Sequence, residues 1–255
     1  MSTVCGIHPV AALLDTAPER VRVLLVQRGN RNARLQALVQ QARDAGIRVE
    51  FVERNRLDRR AEGTHQGVLA DCHEQALADE AELEARWSEL AQPRLLLVLD
   101  GVTDPRNLGA CLRSANAAGV AAVLLPRRRS APLNEVALKT AAGGAEGLLI
   151  VEVANLARRL EWLKDRGVWV VGAAGAALEP WTAADLGADC ALVLGSEGEG
   201  LRALTARTCD QLVRIPMRGS VSSLNVSVAA GILLFEAVRQ RAAAQSGLAR
   251  DASGP

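Results

Sequence analysis

Short apolar runs alternate with helical stripes along the first seventy residues. Residues 21–26 (Val-Arg-Val-Leu-Leu-Val) and 47–52 read as strands, and residues 8–14 as a short helix. Leu35, Leu38, Val39 and Ala42 recur at the spacing of one helical face, and Gly46 supplies a stop signal before the second strand. Residues 66–70 read as a closing strand, which completes a small α/β domain. The pattern resumes with an abrupt apolar strand at 95–99 and a helix at 107–118 that places Leu108, Cys111, Leu112 and Ala115 on one face. A strand at 121–125 follows. Asn155 caps a further helix with Leu156, Leu160 and Leu163 inward and Gly167 at its end, before strands at 168–171 and 191–194. Strands alternating with helices predict a mainly parallel α/β sheet. The last helix, from Val226, is apolar almost without interruption. It follows the turn Ile215-Pro-Met-Arg-Gly-Ser-Val-Ser-Ser-Leu-Asn225, which Pro216 and Gly219 break and which Ser222, Ser223 and Asn225 supply with capping side chains. An apolar run of about 12 residues is too short to span a bilayer, so the helix is expected to be buried in a core or against another subunit.

Charge divides the chain. Between Arg20 and Arg60 eleven arginines face only Asp44, Glu50, Glu53 and Asp58, which is either a solvated Arg-rich surface or a footprint for an RNA backbone. From Asp71 to Gln92 the sign inverts, with seven acids and one base, Arg86. This stretch reads as a linker with partial helical character that ends at Pro93. The expected organisation is a small domain at 1–72, an acidic linker at 73–92, a larger α/β domain at 93–241 and a disordered tail at 242–255 of small and polar residues. With 255 residues and 49% hydrophobic content, the core is ample for this division. The five cysteines form no CxxC pair, and the first residues lack the basic-then-apolar pattern of a signal peptide. A reduced, cytoplasmic setting with no membrane partner is expected.

Three turns stand at the carboxyl ends of apolar strands, where open α/β sheets place their ligands. The first is Asp100-Gly-Val-Thr-Asp-Pro-Arg-Asn-Leu-Gly109. It leads into a helix carrying Arg113, whose place in a largely apolar helix predicts a buried guanidinium in need of a partner. The second is Gly195-Ser-Glu-Gly-Glu-Gly200, and the third is the Ser/Asn turn before the last helix. The glycine spacing is GxxGxG, and no GxxxxGK[ST] occurs, so both standard phosphate fingerprints fail. His8, His65 and His73 all precede the second domain, which leaves a Ser/His/Asp triad or a metal site little to work with.

On these residues the sequence resembles the SpoU (TrmH) branch of the SPOUT class of S-adenosylmethionine-dependent RNA 2′-O-ribose methyltransferases. The matching stretches are residues 100–115, 192–201 and 215–227, in the family's order, and the likeness extends over 95–241. Gly6-Ile-His-Pro-Val-Ala-Ala-Leu-Leu14 and His65-Gln-Gly-Val-Leu-Ala70 resemble the ribosomal-protein-L30e-like substrate domain that accompanies it in bacterial 23S rRNA guanosine methyltransferases. The resemblance implies a carboxy-terminal α/β domain closed by a trefoil knot, an exception among folds, and a homodimer packed through the last helix. It implies a pocket for S-adenosylmethionine lined by Leu194, Gly195, Glu197, Gly200, Ile215, Met217, Ser223 and Leu224. It implies a catalytic set of Asn107, Arg113, Glu199, Ser223 and Asn225, and no metal. Arg113 is expected to stabilise the developing alkoxide and a neighbouring phosphate, with Glu199 and Asn107 positioning it and Ser223 and Asn225 shaping the site. The expected partner is 23S rRNA or a large-subunit assembly intermediate, the target being a guanosine of the peptidyl-transferase region. A tRNA or another rRNA site, or a non-catalytic ribosome-assembly role, are the alternatives. Aromatic residues are few, with no Tyr, so RNA is expected to be read by shape and phosphate through the Arg-rich first domain.

Overall fold

The computed structural model describes residues 2–30, 32–61, 64–72 and 77–251. The chain divides into two compact units, residues 1–76 with 145–147, and residues 77–144 with 148–255.

The first unit contains β1 (Ser2–Cys5), α1 (Ile7–Thr16), β2 (Val21–Gln27), α2 (Ala33–Asp44), β3 (Arg48–Val52), α3 (Arg54–Asp58) and β4 (Val68–Cys72). Its sheet runs β1-β4-β2-β3, with β2 and β3 parallel and the other pairs antiparallel. Alternation sends Leu24, Val26, Val68 and Ala70 to a core with Val10, Leu13, Leu35 and Leu38 of α1 and α2, while Val23, Leu25 and Leu69 face Val52 and Leu57. Asp71 of β4 is fully buried and pairs with the guanidinium groups of Arg22 and Arg60. His73 lies outside the described residues.

The second unit contains α4 (Glu80–Arg86), β5 (Leu95–Asp100), α5 (Pro105–Ala117), β6 (Ala122–Pro126), α6 (Glu135–Ala141), β7 (Leu149–Val153), α7 (Leu156–Lys164), β8 (Trp169–Ala173), β9 (Glu179–Pro180), β10 (Cys190–Gly195), α8 (Ala203–Thr208), β11 (Gln211–Arg214) and α9 (Val226–Asp251). Seven parallel strands in the order β7-β6-β5-β10-β8-β11-β9 form the sheet. Because every strand runs the same way, their carboxyl ends share one edge. Leu96, Val98, Leu124, Val151 and Val193 bury against Leu83 of α4 and Leu156, Leu160 and Leu163 of α7. Elsewhere α5 packs on α6 and α9. A Cβ on Gly109 would stand 2.2 Å from the carbonyl oxygen of Ala137, so only glycine permits the α5–α6 approach.

Two expectations are corrected here. Residues 77–92 are a packed part of the second unit rather than a linker. Ala78 bridges β7 through main-chain bonds of 2.8 and 2.9 Å, Asp79 caps α4, and Leu83 is fully buried. The acids have a partner in Arg159 of α7, itself buried, which donates to Glu80 at 3.0 and 2.9 Å and to Glu84 at 2.9 Å. A buried guanidinium requires such carboxylates, which is why the acidic run is ordered. The tail expected from 242 is also helical as far as Asp251, since alanines 242–244 are strong helix formers and extend α9. Residues 252–255 lie outside the described residues. Arg241 fixes the base of α9 by donating to the carbonyls of Pro93, Leu186 and Ala188 at 2.7, 3.0 and 2.7 Å. None of the described helices is long and apolar enough to cross a membrane.

Candidate active site

The three turns meet at the carboxyl edge of the second unit's sheet, and Asn225 joins them. As the residue before α9, it accepts on Oδ1 from the amide and hydroxyl of Ser227 at 2.9 and 2.6 Å, which caps the helix. Its Nδ2 donates to Asn107 Oδ1 at 2.9 Å and to Glu197 Oε1 at 2.5 Å. Glu197 Oε1 also accepts from the amide of Val226 at 3.4 Å. One amide therefore ties the first turn of α5, the glycine-rich turn after β10 and the start of α9.

The glycine-rich turn is built for close passage of backbones. Ser196 and Gly200 exchange main-chain hydrogen bonds of 3.1 and 3.0 Å. A Cβ on Gly195 would lie 2.0 Å from the carbonyl carbon of Gly200, so no other residue fits at that crossing. Gly198 and Gly200 adopt φ of 86° and 70° and would meet nothing within 4 Å, leaving their backbone open on the outer side. Leu194 below them is buried.

Asp100, at the end of β5, is almost fully buried and receives the main-chain amide of Arg202 at 3.0 Å together with its guanidinium. This pair clamps the far end of the glycine-rich turn to the central strand. Sequence reasoning gave neither residue a role. The available signal was an acid closing an apolar strand immediately before Gly101, which has φ 87°.

The other expected site residues are placed less tightly. Ile215, Met217 and Leu224 are half-buried, and Ser223 is exposed in the segment just before Asn225. Among the described residues no main-chain hydrogen bond ties residues 215–224, so polar backbone stands beside half-buried apolar side chains. Glu199 is exposed at the tip of its turn and has no polar partner among the described residues. Arg113 corrects an expectation, because it is exposed rather than buried. It lies one residue beyond the face of α5 that buries Leu108, Cys111, Leu112 and Ala115, so the helical phase turns it outward. Gly144 packs against its backbone, where a Cβ would come within 2.7 Å of the Arg113 Cα. Cys111 is no nucleophile: burial and the charge of Glu197 push its thiol up to about 12.

An open glycine turn, a segment of unpaired backbone and an apolar lining together fit a ligand with an adenine, a ribose and an amino-acid tail, as S-adenosylmethionine has.

Known proteins resemble this chain over nearly its whole length. Residues 94–235 match the family model described as the SpoU rRNA Methylase family, and residues 3–78 match RNA 2'-O ribose methyltransferase substrate binding. The chain is 48% identical over 243 residues to the 23S rRNA (guanosine-2'-O-)-methyltransferase RlmB of Coxiella burnetii, covering 95% of this chain and 97% of the relative. It is 50% identical over 240 residues to the enzyme of the same name from Pasteurella multocida, covering 93% and 98%. The fold is similar to the crystal structure of the SpoU methyltransferase AviRb from Streptomyces viridochromogenes in complex with the cofactor AdoMet. That likeness has a TM-score of 0.76 at 25% identity and covers 94% of this chain and 90% of the other. By its matched length and its near full-length relatives, the chain belongs to the SpoU rRNA methylase family.

Proposed function

We propose that the protein transfers the methyl group of S-adenosylmethionine to the ribose 2′-hydroxyl of one guanosine in 23S rRNA. The observation that carries this is the convergence of Asn107, Glu197 and Asn225 beside the open glycine turn, in a chain whose relatives over 95% of its length bear that activity in their name. When bound, S-adenosylmethionine supplies an electrophilic methyl on a sulfonium. The chain's own task is to align a poorly nucleophilic hydroxyl and to ease departure of its proton.

The cofactor would rest on the backbone of Leu194, Gly195 and Gly200 and on the segment carrying Ile215, Met217, Ser223 and Leu224. Arg113 is exposed on α5, whose first turn carries Asn107, and is therefore open to a substrate. A guanidinium donates rather than accepts, so its role is to stabilise the developing alkoxide and an adjacent phosphate. Asn107, Glu199 and Ser223 position the ribose, and Glu197 holds Asn225. Arg113→Ala should lower kcat by about a hundredfold or more, the scale of losing one oxyanion donor. S-adenosylmethionine affinity should be unchanged. Near-normal turnover of that variant would exclude the role.

Three further readings belong to this proposal. Val228 and Phe235 are about half exposed on one side of α9, which supports a homodimer through this domain. Phe235→Asp should then yield monomers by light scattering. A trefoil knot is proposed for the second unit from its membership of the SpoU family. The Arg-rich first unit, which matches a substrate-binding model, reads the rRNA or a large-subunit assembly intermediate in the cytoplasm. The rRNA target is preferred to tRNA because the relatives named for 23S rRNA span both units, whereas the A. aeolicus TrmH/SpoU tRNA modifying enzyme covers 64% of this chain.

A further inference from the structure

A cavity of about 550 Å³ opens at the same carboxyl edge of the second unit's sheet, beyond the ends of β6 and β7. Its lining includes Arg127, Arg128, Arg129, Arg202, Leu156 and Leu204, and contains no carboxylate. Two of the four guanidinium groups are engaged. Arg127 donates to Glu152 at 3.0 Å and Arg202 pairs with Asp100. Arg128 and Arg129 are exposed and have no ion-pair partner among the described residues. The loop that carries them is fixed at both ends, by Arg127 N to Val153 O at 2.8 Å and Ala131 N to Val102 O at 2.7 Å. Arg129 is held at φ 60°, a left-handed conformation that is costly for a non-glycine residue and so points to a constraint at this spot. The cavity also reaches the start of α7, where the helix leaves the amides of Leu156 and Ala157 without partners of its own. An apolar floor with a cationic rim and two amides suits a sugar and base flanked by phosphates.

We infer that this cleft binds a phosphodiester-linked nucleotide of the RNA substrate next to the target residue. The inference rests on the proposed RNA methyltransferase function and adds a second RNA contact within the catalytic unit. Arg202 is the physical link, because it lines the cleft and also clamps the glycine-rich turn through Asp100. A polymer that crosses the sheet edge places successive phosphates on both sides of that residue. A free nucleotide or phosphate would fill the cleft but gain nothing from its position beside the reacting centre.

The test uses the full chain, with Arg128→Glu combined with Arg129→Asn, asparagine being tolerant of the left-handed backbone. Arg128→Glu alone serves as the milder variant. Methyl transfer to a 23S rRNA fragment, binding of that fragment across a salt series, and binding of S-adenosylmethionine and of GMP are all measured. The expected result is a rise of about tenfold or more in RNA KM and Kd and a salt slope reduced by about one to two, as for lost phosphate contacts. The variants should change kcat and S-adenosylmethionine affinity by less than about twofold. Unchanged RNA affinity and salt slope overturn the inference, and so does GMP binding that the variants abolish while RNA binding persists. If wild-type protein binds RNA through these arginines but transfers no methyl group, the cleft stands and the proposed reaction falls.

Discussion

Asn225 donates its side-chain amide to Glu197 at 2.5 Å across 28 residues of sequence, so the turn that opens α9 is braced by the turn that closes β10. The same amide reaches Asn107 at 2.9 Å. Asn225→Ala removes a helix cap worth about 1 kcal/mol, frees Asn107 and leaves Glu197 with the Val226 amide alone. It is expected to lower Tm by about 2–4 °C and methyl transfer by a hundredfold or more. Asn225→Asp keeps the cap but sets a second carboxylate against Glu197. Its activity should fall at neutral pH and recover in part as pH is lowered and the pair takes up a proton. Thermal melts and initial rates between pH 5 and 8 check both variants, and unchanged rates would show that the bridge is not needed.

Asp100 and Arg202 hold the other end of the glycine-rich turn. Asp100→Asn retains the shape but weakens a charge-assisted clamp, so the turn loosens where the cofactor rests. S-adenosylmethionine affinity is expected to drop about tenfold, or about 1.4 kcal/mol, in calorimetric titration. Equal affinity in the variant would remove the clamp from the account.

Much of this arrangement is legible in the sequence, for definite reasons. Strands such as β5 and β10 are buried along most of their length, which leaves uninterrupted apolar runs, and Asn155 and Gly167 bracket α7. The short elements were not legible. β11 is only Gln-Leu-Val-Arg and β9 two residues, too brief for a periodicity to show, and α6 and α8 have seven and six residues. The three turns of the site could be found from their glycines, prolines and capping residues. Their mutual contacts could not, because Asp100 and Arg202 stand 102 residues apart and Asn107 and Asn225 118 apart. Arg113 shows a different failure: the apolar helix suggested burial, while the phase set by Leu112 turns the next residue outward. In the acidic segment composition misled, because the partner that orders Glu80 and Glu84 is Arg159, more than seventy residues away.

Two glycines of the turn separate crowding from backbone strain. Gly195→Ala places a methyl 2.0 Å from the backbone of Gly200, closer than a Cβ can stand, so the turn must be displaced. A loss of about 3 kcal/mol or more in unfolding free energy is expected, or failure to fold. Gly198→Ala meets nothing within 4 Å and incurs only the cost of φ 86°. Its loss should be about 1–2 kcal/mol. Urea unfolding ranks the two, and equal losses would contradict the close crossing.

In the first unit, burial pushes the Asp71 carboxyl up, but hydrogen bonds and charge from Arg22 and Arg60 outweigh it and hold the group below the usual carboxylate range. A depressed folded value stabilises the fold above the unfolded value of about 3.9, and that stability is lost as pH falls through the folded value. Wild-type protein should therefore lose stability from about pH 4 downward more steeply than Asp71→Asn, which lacks this titration. Denaturant midpoints between pH 2.5 and 6 provide the check. Parallel acid limbs would show that the buried carboxylate does not contribute to acid unfolding.

The most direct test of the account is transfer of labelled methyl from S-adenosylmethionine to unmodified 23S rRNA, with the product mapped to single-nucleotide resolution. The expected result is 2′-O-methylation of one guanosine, slowed by about a hundredfold or more by Arg113→Ala in a protein that still binds the cofactor. Binding of both S-adenosylmethionine and 23S rRNA without any 2′-O-methyl product would contradict it.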